Sequence, residues 1–134
     1  MKRAIVVSFC LALAACGTSE PTPPATSWSD NVQAFCQAKD ARWLEDVLDR
    51  VRRALPEEFS EGSLQFESMN RQAPFDGRPD ASELQLRLSA MRAGEAVKLS
   101  AYGLISPDSC TIGDMEAIEG FDRFEPPLHF AIPD

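Results

Sequence analysis

Acid–base or nucleophilic chemistry needs a titratable base, and this chain has one histidine, His129, set between Leu128 and Phe130 near the end. Any Ser–His–Asp constellation would depend on it alone. Strand-like alternation turns His129 away from its apolar neighbours, toward solvent or a sheet edge. The spacings GxSxG, GxxxxGK[ST], GxGxxG and HExxH do not occur. With 21 Asp and Glu in 134 residues, paired carboxylates for glycoside chemistry remain an open reading, but no spacing marks a pair. No cofactor is implied. With no CxxC and a single His, zinc has no ligand set in the sequence.

The acids are concentrated. Between Asp108 and Asp134 stand seven (Asp108, Asp114, Glu116, Glu119, Asp122, Glu125 and Asp134) against one Arg, Arg123. Within this segment, Gly113 to Pro127 interleaves acids with Met115, Ile118, Phe121 and Phe124. It lacks the Asp-x-Asp-x-Asp-Gly spacing of a calcium loop. An acidic surface with aromatic anchors suits docking on a basic protein, charge steering the encounter and Phe supplying contact energy. Asp114, Glu116, Glu119, Phe121, Asp122 and Phe124 are the candidate contacts. The competing reading makes Ile118, Phe121 and Phe124 core and the acids a solvated face. A further candidate is Phe75, in the polar stretch Asn70 to Ala81 that two prolines and a Pro-Phe-Asp-Gly turn mark as a long loop.

The first sixteen residues, MKRAIVVSFCLALAAC, place two cations before an apolar run too short for a comfortable permanent span. The tetrapeptide Leu13-Ala14-Ala15-Cys16 resembles the lipobox of bacterial lipoproteins. The resemblance covers only the leader and the first mature residue. It implies removal of residues 1–15, a diacylglyceryl group on the Cys16 thiol and acylation of the new amino terminus, so the membrane is a partner through that lipid. Gly17 stands where, in enteric bacteria, Asp favours inner-membrane retention. The resemblance therefore implies the periplasmic face of the outer membrane. Residues 16–28 then form a tether: Gly17 to Ser27 has three Pro and no large apolar side chain, and at about 3 Å per residue spans roughly 30 Å.

Processing resolves the four cysteines. On the cleavage that the resemblance implies, Cys10 leaves with the leader and Cys16 carries lipid, so Cys36 and Cys110 remain, an even pair in what would be an oxidising compartment. A disulfide is the expectation, with two buried thiols or a metal pair as alternatives. It would close a loop of about 75 residues and, by the chain-entropy argument, contribute on the order of 4 kcal/mol. Removing Lys2 and Arg3 takes 13 basic residues to 11 against 21 acids, so the formal charge goes from −8 to −10. The acidic excess argues against nucleic acid, since only Arg50, Arg52 and Arg53 form a cationic cluster.

These residues must be positioned by one domain over 29–134. Asp30 and Gln33 make a capping box, and Val32, Cys36, Trp43, Val47, Val51 and Ala54 follow helical spacing to Pro56, with a faltering stripe near Lys39-Asp40. This predicts a long helix over Ser29–Leu55, with a break at the faltering stripe as the alternative, Cys36 on its buried side and Trp43 as a core anchor. Leu64 and Phe66 alternate with polar residues, as do Leu84 to Ala90, Val97 to Gly103, and Leu128 to Ile132. Those are strand patterns, with Arg92-Ala93-Gly94-Glu95 a hairpin turn. Residues 81–92 also suit a helix, capped by Asp80 with Glu83. The expected fold class is α+β: a long N-terminal helix packed on an antiparallel sheet of about four strands, with one disulfide.

The leading functional expectation is a non-enzymatic, lipid-anchored, periplasm-facing module that binds a basic protein, an accessory or assembly lipoprotein of the envelope. An immunity protein or inhibitor of a basic exported toxin or lysozyme is the alternative. A small carboxylate enzyme is the class-level rival.

Overall fold

A computed structural model describes residue 28, residues 31–75 and residues 78–134, with the backbone alone at 73–75 and 78–80. The expected leader, the lipobox Cys16, the tether through residue 27, and Asp30 of the capping box lie outside the described residues. Two helices, α1 (Val32–Lys39) and α2 (Trp43–Ala54), precede strands β1 (Gln65–Phe75), β2 (Arg78–Arg92), β3 (Glu95–Ile105), β4 (Ile112–Glu119) and β5 (His129–Ile132). The strands form one antiparallel sheet in the order β1-β2-β3-β4-β5.

The molecule is therefore mostly sheet, which overturns the expectation of an α+β layer built on one long N-terminal helix and about four strands. The long helix is interrupted for a local reason. Asp40 is extended (φ −143°), its carboxylate accepts the Arg42 amide at 2.9 Å, and Gln37 reaches across to the Leu44 amide at 3.3 Å and to the Ala41 carbonyl. Side chains that bond nearby backbone compete with helix continuation. Asn31 caps α1, its side chain accepting from the Ala34 amide at 3.0 Å. Trp28, which the sequence assigned to the tether, packs edge-on against Phe35.

Strand β4 was hidden by a bulge. Its pairing with β3 shifts between Tyr102 and Leu104, Asp114 takes a left-handed φ of 51°, and period two is lost there. The same crossing needs glycine at 103: a Cβ would come within 2.5 Å of Ile112 Cγ2 and 2.8 Å of Met115 Cγ. The predicted loop Asn70 to Ala81 is also corrected. Residues 70–75 continue β1 and residues 78–81 continue β2, with Pro74 opposite Ser82 between two register shifts. An edge strand tolerates proline because one side of it has no ladder to donate to. Residues 81–92 are strand throughout, and the helical alternative for them falls.

The β2–β3 hairpin follows its pattern. Arg92 pairs with Glu95, and Ala93 (φ 52°) and Gly94 (φ 83°) are both left-handed, the two-residue turn that matches strand twist. One face of the sheet buries Leu84, Leu86, Leu88, Leu99, Ala101, Met115 and Ala117 under Val32, Cys36, Trp43, Val47, Leu48 and Val51 of the helices. Burying each such leucine is worth about 2–3 kcal/mol. The predicted disulfide is present: Cys36 is bonded to Cys110, with Cα atoms 5.7 Å apart. Trp43 is buried, as expected of an anchor, and donates its Nε1–H to the Cys110 carbonyl at 2.9 Å. Across the break, α1 and α2 thus grip the same residue. Among the described residues no helix is long and apolar enough to cross a membrane.

Candidate functional site

The eight residues between Glu119 and Leu128 do not leave the body of the protein. They fold as a strap over the sheet face opposite the helices, the face that carries Glu83, Gln85, Arg87, Ser100, Tyr102, Glu116 and Ile118. The base of the strap is hydrogen-bonded: Glu119 N–H donates to Leu128 O at 2.9 Å, Gly120 N–H to Lys98 O at 2.8 Å, and Ser100 Oγ to Gly120 O at 2.7 Å. Gly120 takes φ 81°, which turns the chain off β4.

Two cation–π contacts hold the strap down. The Arg123 guanidinium lies 3.5 Å from the centroid of the Tyr102 ring and 3.0 Å from a Glu83 carboxylate oxygen, while Arg87 stands 4.9 Å from the Phe121 ring. Such contacts are worth about 0.5–2 kcal/mol each, the larger figure applying when desolvated. Tyr102 is buried, and its hydroxyl accepts from buried Gln85 Nε2 at 3.0 Å. Asp122 then turns the strap by accepting the Phe124 amide at 2.8 Å, and Glu125 follows at φ 52°. The result is a loop tied to the sheet at Gly120, Phe121 and Arg123, with Phe124 exposed beyond those contacts.

The aromatic residues of the acidic segment divide between the two readings. Ile118 is core at 2% exposure, whereas Phe121 is 50% and Phe124 89% exposed, the two large apolar side chains left in water among the described residues. The acids divide as well. Glu119 is held by Arg92 in a two-pronged pair at 2.8 and 2.9 Å, a contact that pushes the Arg92 guanidinium still further above its ordinary value. Asp134 pairs with Arg50 at 2.6 Å, and Arg50 also donates to the carbonyls of Ile112 and Pro133. Glu116 meets His129 Nε2 at 2.9 Å, both half-exposed, with His129 on the solvent side as its alternation required. Asp114 and Glu125 are exposed.

Glu116, Glu119, Phe121, Asp122 and Phe124 are thus brought together by the end of β4 and the strap, and Asp114 sits apart beyond the bulge. Phe75 is not part of this group. It lies at the hairpin end of β1, with β2 and β3 between it and β4, and its side chain is outside the described ones. The residues that fix the strap, Arg87, Tyr102 and Arg123, were not anticipated. The signal existed: Tyr102 is the one tyrosine and occupies a polar-face position, and Arg123 is the one Arg among seven acids.

A cleft of about 200 Å³ runs beneath the strap, lined by Glu116, Ile118, Arg123, Pro126 and His129. Two larger hollows lie elsewhere. One of about 350 Å³ sits between the start of α1 and Met69–Arg71, and one of about 450 Å³ lies beyond α2, where Leu55, Phe59 and Leu64 meet Arg52, Arg53, Glu57 and Glu61. Neither borders the acidic segment. No three or more His, Cys, Asp or Glu among the described residues are grouped to hold a metal ion. No protein-family model, curated protein or solved structure matches the chain. Its function has to be argued from the strap itself.

Proposed function

We propose that this chain is a lipid-anchored, periplasm-facing protein-binding module of the bacterial envelope, acting as an accessory or assembly lipoprotein whose strap docks on a basic protein. The observation that carries the reading is Phe124, 89% exposed at the tip of a loop whose base and flank are fastened by Ser100, Arg87 and Arg123. An exposed aromatic on a fixed loop loses little conformational freedom on docking, and such residues dominate interface energetics. Asp122 and Glu125 flank it, which selects a partner with a cationic rim around an apolar pocket. The lipobox and a disulfide suited to an oxidising compartment support the location. Fixed loops of this kind also suit inhibitors, since preformed contact surfaces move little on binding. An immunity protein or inhibitor against a basic exported toxin or lysozyme is therefore the second reading, and the identity of the partner separates the two.

The full chain in detergent, used as bait on envelope extract, is expected to retain a basic protein in a salt-sensitive manner. Phe124→Ser should lower that retention at least tenfold while leaving the thermal midpoint unchanged, because the ring packs against nothing in the free protein. Retention unaffected by the substitution would remove the strap from the interface. For the anchor, Cys16→Ser is expected to abolish lipid labelling and membrane association. Continued fractionation with membranes would defeat the lipoprotein reading.

A further inference from the structure

Resting on that reading, we propose that Glu116 is the cation-receiving position of the interface, and that a Lys or Arg side chain of the basic partner takes Glu116 in exchange for the protein's own His129. The acids around the strap are not equally free to bind. Glu119 is gripped by both prongs of Arg92, Glu83 by Arg123, and Asp134 by Arg50, all permanent cations within 3.0 Å. A partner's cation gains little by displacing another cation of equal charge from a geometry already satisfied. Glu116 differs. Its partner at 2.9 Å is an imidazole, which meets it through one ring nitrogen, where the other three acids each face a guanidinium. A guanidinium or ammonium in its place brings a permanent counter-charge and further N–H donors to the same carboxylate, which is a net gain.

The surroundings suit the exchange. Glu116 and His129 are side by side on β4 and β5, at diagonal positions in the register, so the imidazole can turn outward without moving either strand. The cleft of about 200 Å³ that they line has Ile118 and Pro126 as apolar walls, fitting the methylene stem of a long cationic side chain while its head stays near water. The charged groups facing the pair are Arg123 from the strap, answered by Glu83 of β2, and the pair itself. Arg123 stacks on Tyr102 and is not a rival for Glu116. Pro126 is two residues from Phe124, so the cation site and the aromatic anchor belong to one loop and can be met by one partner surface.

The test uses the only imidazole in the chain as its reporter. The full chain in detergent micelles, labelled with ¹⁵N and held at pH 8, is titrated with ethylguanidinium chloride, the head of an arginine side chain, against sodium chloride at equal ionic strength. The expected result is a saturable movement of the His129 ring resonances with ethylguanidinium alone, absent in Glu116→Gln. In His129→Asn the titration, followed at the Glu116 amide, should tighten several-fold because the competitor is gone. Identical responses to the two salts, a response surviving in Glu116→Gln, or no tightening in His129→Asn would each overturn the exchange. Since the titration involves no partner protein, it can fail while Phe124-dependent capture stands, and capture can fail while the exchange holds.

Discussion

Replacing both bridged cysteines with alanine (Cys36→Ala, Cys110→Ala) is expected to lower the unfolding free energy by about 4 kcal/mol. The bridge joins residues 74 apart in sequence, so without it the unfolded chain regains the freedom of a long loop. Alanine is the right replacement because both positions are buried, at 0% and 6% exposure, and a serine hydroxyl there would add its own desolvation cost. For a domain of this size the loss corresponds to a thermal midpoint lower by roughly 15–20 °C. Circular dichroism melts of the two forms measure it. A midpoint within 3 °C of the parent would mean that helix packing, and not the bridge, fastens α1 to the sheet.

The sequence patterns that predicted structure well were those in which burial is one-sided. Leu84, Leu86, Leu88 and Ala90 alternate cleanly because β2 has helices on one face and the polar surface on the other, and their partners Leu99 and Ala101 repeat the pattern across the turn. The Cys36–Cys110 pair was legible because the lipobox resemblance sets Cys10 and Cys16 aside and leaves an even pair. Strand β4 was not legible. Ile118 is buried by the strap on one face while Met115 and Ala117 are buried by the helices on the other, and the bulge at Asp114 shifts the phase between Ile112 and Met115, which both join the core. The faltering stripe near Lys39-Asp40 marked where α1 and α2 part, but not the cause, the reach of Asp40 and Gln37 to nearby backbone atoms.

The candidate site followed the same division. Acid and aromatic content marked the segment Gly113 to Pro127, yet the separation of Ile118 from Phe121 and Phe124 depends on a chain reversal at Gly120 that turns the later residues outward. Composition could not show that Glu119 is already occupied either. Arg92 reaches it from the turn end of β2, 27 residues earlier in the chain, while also lying over Phe59. Long-range ion pairs of this kind decide which members of an acidic segment are available to a partner. Within Gly113 to Pro127 they leave Asp114, Glu116, Asp122 and Glu125 without an Arg or Lys partner among the described residues, beside the exposed Phe124.

Trp43→Ala is expected to cost about 3–5 kcal/mol, and the cost should shrink when the disulfide is absent. Trp43 fills the core at 7% exposure and donates to the Cys110 carbonyl, so its removal leaves a cavity and an unpaired buried acceptor together. Cys110 itself is held at φ 55°, a left-handed conformation costly for a residue with a Cβ. Its position is maintained by the bridge to Cys36, by Trp43, by its own amide bond to Ser106 O at 3.0 Å, and by Lys39 Nζ on the carbonyls of Pro107 and Asp108. Once the bridge is cut, the 106–111 turn can relax out of that conformation, and the indole hydrogen bond has less left to hold. A double-mutant cycle between Trp43→Ala and the paired alanine change should therefore give a coupling of at least about 0.5 kcal/mol in the sense that the two losses sum to less than expected. Additivity within about 0.3 kcal/mol would show that the helices grip this turn independently. The turn leads directly into Ile112 and β4, whose far end roots the strap, so loosening it should also weaken retention of the proposed basic partner by a protein whose Phe124 and Glu116 are untouched.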